Sequence, residues 1–217
     1  MAARYDPSVD SSFSRNMVWL AAIVGSITLL LYLFVFDTWV VPGDDPLFTA
    51  SILPTLSPQD RILTRRGSQP SIGQLARCLV PDGSGKYAIG RVFGSAGDVV
   101  EINNERVTTN GTAPKFRFSC GIVNVVHPVS GDAMPLTCSV EDNGSFTYGA
   151  LTHPEYREGP RKTKVEPGTI FLVSDNRHLH KDSRDFGGVD PSTCEHVVFR
   201  LWGESFGDSS HRFNVLW

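Results

Sequence analysis

Read along its hydrophobic and polar positions, the chain changes character once. From Asn16 to Phe36 there is no charged residue, and Met17–Phe36 is a 20-residue apolar stretch, MVWLAAIVGSITLLLYLFVF. At about 1.5 Å per residue, a helix of that length spans the ~30 Å hydrocarbon core of a bilayer. The following FDTWVVPG supplies no small-x-small cleavage site, so a retained anchor is preferred to a cleaved signal peptide. Beyond Phe36 the pattern becomes short β-like runs separated by turn signals: DRILTRR from Asp60, QLARCLV from Gln74, YAIGRVFG from Tyr87, DVVEI from Asp98 and RVTT from Arg106. Asn103-Asn104-Glu105 between the last two reads as a hairpin turn, because Asn tolerates positive φ. Two further strands are expected in TIFLVS from Thr169 and HVVFRLW from His196. From about 112 to 165 the chain loosens into Gly, Pro, Asn and Thr, and is read as an insertion, with a second hairpin layer as the alternative.

The expected organisation is a cytoplasmic N-terminus (1–16), a transmembrane helix (17–36) and a mainly β extracytoplasmic domain (37–217) carrying the insertion. Orientation follows the basic residues. Arg4 and Arg15 precede the apolar stretch, whereas Asp37, Asp44, Asp45 and Asp60 follow it before the first basic residue, Arg61. Trp19, Tyr32 and Trp39 lie near its ends, where aromatic rings suit a headgroup layer.

Charge and cysteine content narrow the chemistry. Twenty Lys and Arg against 23 Asp and Glu give a net charge of −3, which offers no surface for a polyanion, and nucleic acid is not an expected partner. Of the four cysteines, Cys120 and Cys138 bracket a Pro- and Gly-bearing stretch and form the candidate disulfide; four separate buried thiols are the alternative. Cys78 and Cys194 complete the set. No CxxC is present, and zinc or any other cofactor is not expected.

Three segments carry candidate chemistry: Ser51-Ile-Leu-Pro-Thr-Leu-Ser-Pro-Gln-Asp-Arg-Ile-Leu, then Ile89-Gly-Arg-Val-Phe-Gly-Ser-Ala-Gly-Asp98, then Ser174-Asp-Asn-Arg-His-Leu-His-Lys-Asp-Ser-Arg184. In order and spacing they resemble the boxes of the type I signal peptidases, membrane-anchored serine proteases that remove signal peptides from exported proteins. Those boxes read Ser-Met-x-Pro-Thr-Leu followed by Gly-Asp, then Lys-Arg-Val-x-Gly-x-x-Gly-Asp, then Gly-Asp-Asn-Arg-x-x-Ser-x-Asp-Ser-Arg. The resemblance covers Phe36 to about Trp202 without the insertion. It implies a signal-peptidase-like β-rich domain in the cytoplasmic membrane, acting on the signal peptides of exported preproteins beside the lipid bilayer and the protein-export translocon. Small residues would be preferred at the first and third positions before the cut.

Position by position, the resemblance puts Ser51 on the nucleophile and Thr49 on a hydroxyl that helps the Ser51 backbone N–H bind the oxyanion. The family's general base is a lysine directly before Arg-Val, and Gly90 stands there in this chain. A serine hydroxyl needs a group to take its proton. Lys86 lies four residues upstream, about 13 Å along a strand, and does not substitute. The third box departs as well: its supporting serine is His180. An imidazole accepts a proton near neutral pH without the burial that a lysine requires. A Ser51–His180 dyad is therefore expected, with Asp182 or Asp175 orienting the imidazole and the loss of a side chain at Gly90 opening room for it. Arg177 and Arg184 are expected to join these carboxylates in a supporting ion-pair set. His178 and His180, flanking Leu179, would point the same way in an extended segment; a plain polar loop and an HxH metal pair are the other readings of the two rings. An inactive, signal-peptidase-like binder of exported segments is the alternative that Gly90 favours.

Overall fold

A computed structural model describes residues 7–157 and 159–216, with side chains from Phe13 onward. It divides after Asp37 into an N-terminal unit and a β-rich unit. The first unit is helix α1, Pro7–Phe34. Its segment Phe13–Phe34 is long and apolar enough to cross a membrane, and none of it is buried against other parts of the protein. The helix ends two residues before the apolar stretch does, because Phe36 opens strand β1, Phe36–Val40. The span is thus shifted N-terminally from the expected 17–36. Arg15 lies within the helix, and Arg4 falls outside the described residues.

The second unit is built on a seven-stranded sheet in the order β1-β2-β12-β3-β4-β11, with β13 also paired to β12. Its strands are β2 (Arg61–Arg65), β3 (Leu75–Leu79), β4 (Tyr87–Ser95), β11 (Ile170–Val173), β12 (Cys194–Trp202) and β13 (Asn214–Val215). β4 is buried at seven consecutive positions and β11 at all four, so this end of the sheet is covered on both faces. This explains why β11 reads as an unbroken apolar run, IFLV, rather than an alternating one, and why the one charged residue within β4, Arg91, is paired. β5 (Val99–Asn103) and β6 (Arg106–Thr109) form the expected hairpin, and β10 (Arg161–Lys164) adds to the free edge of β5. At the turn, Asn104 and Glu105 both adopt positive φ, 47° and 63°.

Between them the chain is more ordered than its composition suggests. β7 (Lys115–Val126), β8 (Ala133–Asp142) and β9 (Thr147–Thr152) form a separate three-stranded antiparallel sheet. The Cys120–Cys138 disulfide staples β7 to β8. A second disulfide, Cys78–Cys194, joins residues directly opposite in the β3/β12 pairing. It had no local sequence signal, because its partners are 116 residues apart. Both bridges overturn the alternative of four separate thiols.

Two short helices matter for the site. α2 (Pro46–Ser51) starts at Asp45, whose side chain accepts from the Phe48 N–H, and has Pro46 in its first turn, where no amide hydrogen is needed. α3 (Ser183–Phe186) starts at Asp182 with a full capping box completed by Asp185. Phe48 and Ile52, at the end of α2, are buried in a core with Leu56, Ile62, Leu75 and Val197, which fixes the helix to the main sheet. Ala50 faces a different cluster, formed with Val125, Leu136, Leu151 and Leu179. Ser51 is therefore held where the main sheet, the β7–β9 sheet and the third sequence box converge.

Candidate active site

Ser51 is the last residue of α2 and has no exposed surface. Its hydroxyl donates to Phe48 O at 2.7 Å, the usual back-bond of a serine one turn along a helix. The third box is docked onto it through the backbone. The Asn176 N–H donates to Ser51 O at 3.1 Å, and the Asn176 side-chain amide donates to Ala50 O at 2.9 Å. Thr49 Oγ1 donates to Pro46 O at 3.0 Å, so both hydroxyls of the helix are turned onto its own carbonyls.

Beneath this junction lies a buried polar set. Arg91 Nε reaches Asp175 Oδ1 at 2.9 Å with both side chains only 1% exposed, and Arg91 also donates to Gly73 O and lies over the Tyr148 ring, 4.1 Å from its centroid. Thr55 donates to the other oxygen of Asp175, joining the first box to the second and third. Burial pushes the Tyr148 phenol above its ordinary value. Arg177 is buried beside Glu141, 3.0 Å away; burial opposes its charge, but the Glu141 and Asp175 carboxylates outweigh it. Asp182 accepts from Arg184 at 2.7 Å and from the Ser174 N–H. Burial alone would raise the Asp182 carboxyl, yet the Arg184 charge and hydrogen bonds hold it below the usual carboxylate range. Of the expected set, Asp182 pairs with Arg184, whereas Arg177 pairs with Glu141 and Asp175 with Arg91.

His180 is placed differently from expectation. Its Nδ1 pairs with Asp185 Oδ2 at 2.9 Å, and among the described residues no hydrogen bond joins it to Ser51. The carboxylate that orients the ring is therefore Asp185, not Asp182 or Asp175, whose oxygens are taken by Arg184, Arg91 and Thr55. The signal for Asp185 was in the sequence: an acidic residue three positions after a capping Asp completes a capping box. Nor do the two histidines point the same way. Asn176 Oδ1 accepts from the His178 and Leu179 N–H groups, which bends the segment. His178 goes to Glu105 Oε1 at 2.6 Å and stacks on His153, while Leu179 packs beside Ala50. Among the described residues His178 and His180 share no common carboxylate, and the only metal-capable cluster, His180–Asp182–Asp185, uses an Asp182 already bonded to Arg184.

Gly90 lies in β4 opposite Ala76. A Cβ placed on it would lie 3.1 Å from Val173 O and 3.3 Å from Leu172 Cβ. A side chain at this position would thus start in tight contact with β11, and the His180 ring is bonded to Asp185.

Comparison with known proteins matches residues 14–202 to the family model "Signal peptidase, peptidase S26". The chain is 29% identical over 192 residues to "Signal peptidase I" of Bacillus caldolyticus, covering 87% of this chain and 90% of that protein. It is 25% identical over 204 residues to "Signal peptidase IB" of Staphylococcus aureus strain COL, covering 90% and 93%. The match spans most of the apolar N-terminal helix, all three boxes and both sheets that meet at Ser51, and the chain belongs to the peptidase S26 signal peptidase family.

Proposed function

We propose that this chain is a membrane-anchored serine endopeptidase that removes signal peptides from exported preproteins, with its N-terminus in the cytoplasm and its β-rich unit outside. The observation that carries this reading is the docking of the third box on the nucleophile helix. Asn176 bonds the carbonyls of Ala50 and Ser51, and four residues later an imidazole is held at Nδ1 by a carboxylate. A His whose Nδ1–H is held by a carboxylate has Nε2 as its acceptor, which is the arrangement of a Ser-His-Asp base.

The chemistry requires two side-chain rotations. Ser51 leaves Phe48 O, and the His180 imidazole moves toward it with Asp185 retained. Ser51 Oγ then bonds to the scissile carbonyl carbon while its proton passes to His180 Nε2, and the Ser51 N–H and Thr49 hydroxyl stabilise the oxyanion. The proton passes to the departing amine as the carbon–nitrogen bond breaks. Water, deprotonated by the same ring, releases the acyl group from Ser51.

A second reading, an inactive protein that binds signal peptides, is favoured by two observations: the closed Ser51 hydroxyl and the packing of Gly90 against β11. Cleavage of a preprotein by the full-length protein in detergent separates the two. Wild type should cleave, Ser51→Ala should not, and His180→Ala should lose about 10²-fold or more. Cleavage by His180→Ala at the wild-type rate contradicts the proposed base. Peptide binding without cleavage by wild type supports the second reading.

A further inference from the structure

The β5–β6 turn carries a residue that the turn itself does not require. Asn104 and Glu105 form a two-residue loop in which both take positive φ, a geometry for which Asn-Gly is the preferred pair. Glycine would fit the second place without strain, yet a glutamate stands there. Its side chain is 3% exposed, and taking a carboxylate out of water is costly unless hydrogen bonds replace the water. Two bonds do so. Oε1 accepts from His178 Nδ1 at 2.6 Å, and Oε2 accepts from the His153 N–H at 2.7 Å. The turn thereby grips two other pieces of chain at once, the third sequence box at His178 and the residue that follows β9 at His153. The His153 and His178 rings lie 4.8 Å apart, and the Tyr156 ring stands edge-on to His178 at 4.9 Å.

We infer that Glu105 is a positioning residue for the reaction at Ser51, acting through His178 and Asn176. The inference rests on the peptidase reading above and adds a residue outside the three sequence boxes. The His178 N–H donates to Asn176 Oδ1 at 3.2 Å, and the Asn176 N–H and side-chain amide donate to Ser51 O and Ala50 O. The Leu179 N–H also donates to Asn176 Oδ1, Leu179 is buried beside Ala50, and His180 follows directly. The bond between Glu105 and His178 therefore fixes a bend that serves both partners of the reaction: it seats the Asn176 amide on the Ser51 carbonyl and sets where the His180 side chain starts. A misplacement of about 1 Å that originates away from the chemistry can cost up to about 10²-fold in rate.

The test is steady-state cleavage of a preprotein by the full-length protein in detergent, with kcat and KM measured separately, rates normalised to the folded fraction, and the melting temperature followed on the same samples. Glu105→Gly suits the backbone of the turn and removes both bonds; it should lower kcat about tenfold or more and leave KM within about twofold. Glu105→Gln should keep kcat within about threefold, because the amide oxygen can accept from the His153 N–H while the amide N–H donates to His178 Nδ1 in its other tautomer. His178→Ala removes the partner without touching the turn and should reproduce the kcat loss of Glu105→Gly. A merely structural role predicts instead a changed melting temperature with wild-type kcat per folded molecule. Wild-type kcat in Glu105→Gly or in His178→Ala, or equal losses in Glu105→Gln and Glu105→Gly, overturns the positioning role while leaving the peptidase reading standing. Absence of cleavage by wild type overturns both.

Discussion

Two polar constellations meet around α2, and they differ in how completely the fold has committed them. Arg91 and Asp175 are buried and, with the partly buried Thr55, are bonded across all three sequence boxes. The Ser51 hydroxyl and the His180 ring, by contrast, are bonded among the described residues to their own neighbourhoods, one to a helix carbonyl and the other to Asp185 of the adjoining short helix. A buried ion pair is costly to break, because either partner left alone is an uncompensated charge in a low-dielectric interior. A partly exposed imidazole carries no such penalty. The buried frame is thus held by stability, whereas His180 sits partly exposed on a helix cap and can be replaced at little cost to the fold.

Breaking the frame should have the largest effect. Asp175→Ala strands Arg91 and should destabilise the domain by about 3–5 kcal/mol, seen as a drop of roughly 10 °C in the melting temperature. Gly90→Ala should cost less, about 1–3 kcal/mol, because the new methyl group presses on the Val173 carbonyl of β11. His180→Ala should change stability by no more than about 0.5 kcal/mol, as expected of a partly exposed side chain, while its effect falls on cleavage. A large stability loss for His180→Ala would erase the distinction between the two constellations.

Acid should sharpen it further. The Asp182 carboxyl is held below its ordinary value of 3.8 in the folded protein by Arg184, against the opposing effect of burial. Its folded-state pKa therefore lies below the unfolded one, so its contribution is complete above about pH 4 and is lost as pH falls through the depressed value. Urea titrations between pH 5 and pH 3 should show falling stability, and Asp182→Asn should flatten part of that slope.

Much of this architecture was legible because β-branched and apolar runs bounded by Gly, Pro and Asn announce strands locally: β2 to β6, β11 and β12 all fall on such runs. The β7–β9 sheet was obscured because most of β7 is exposed, which leaves its sequence mixed and its strand period weak. Local patterning also could not foresee contacts made by bends. The Asn176 side chain turns the third box so that His178 meets Glu105, and this also explains a glutamate at positive φ: its carboxylate is buried between His178 and the His153 N–H. Likewise the Gly90 position looked like vacated space in one dimension and proves to lie tight against a neighbouring strand in three.

The most direct measurement is the initial rate of preprotein cleavage by full-length wild type, His180→Ala and Asp185→Asn in parallel, with Ser51→Ala as the blank. A base at His180 oriented by Asp185 requires a loss of about 10²-fold or more for the first variant and a smaller loss for the second. Equal rates in wild type and His180→Ala, both abolished by Ser51→Ala, would contradict it and place the proton acceptor elsewhere.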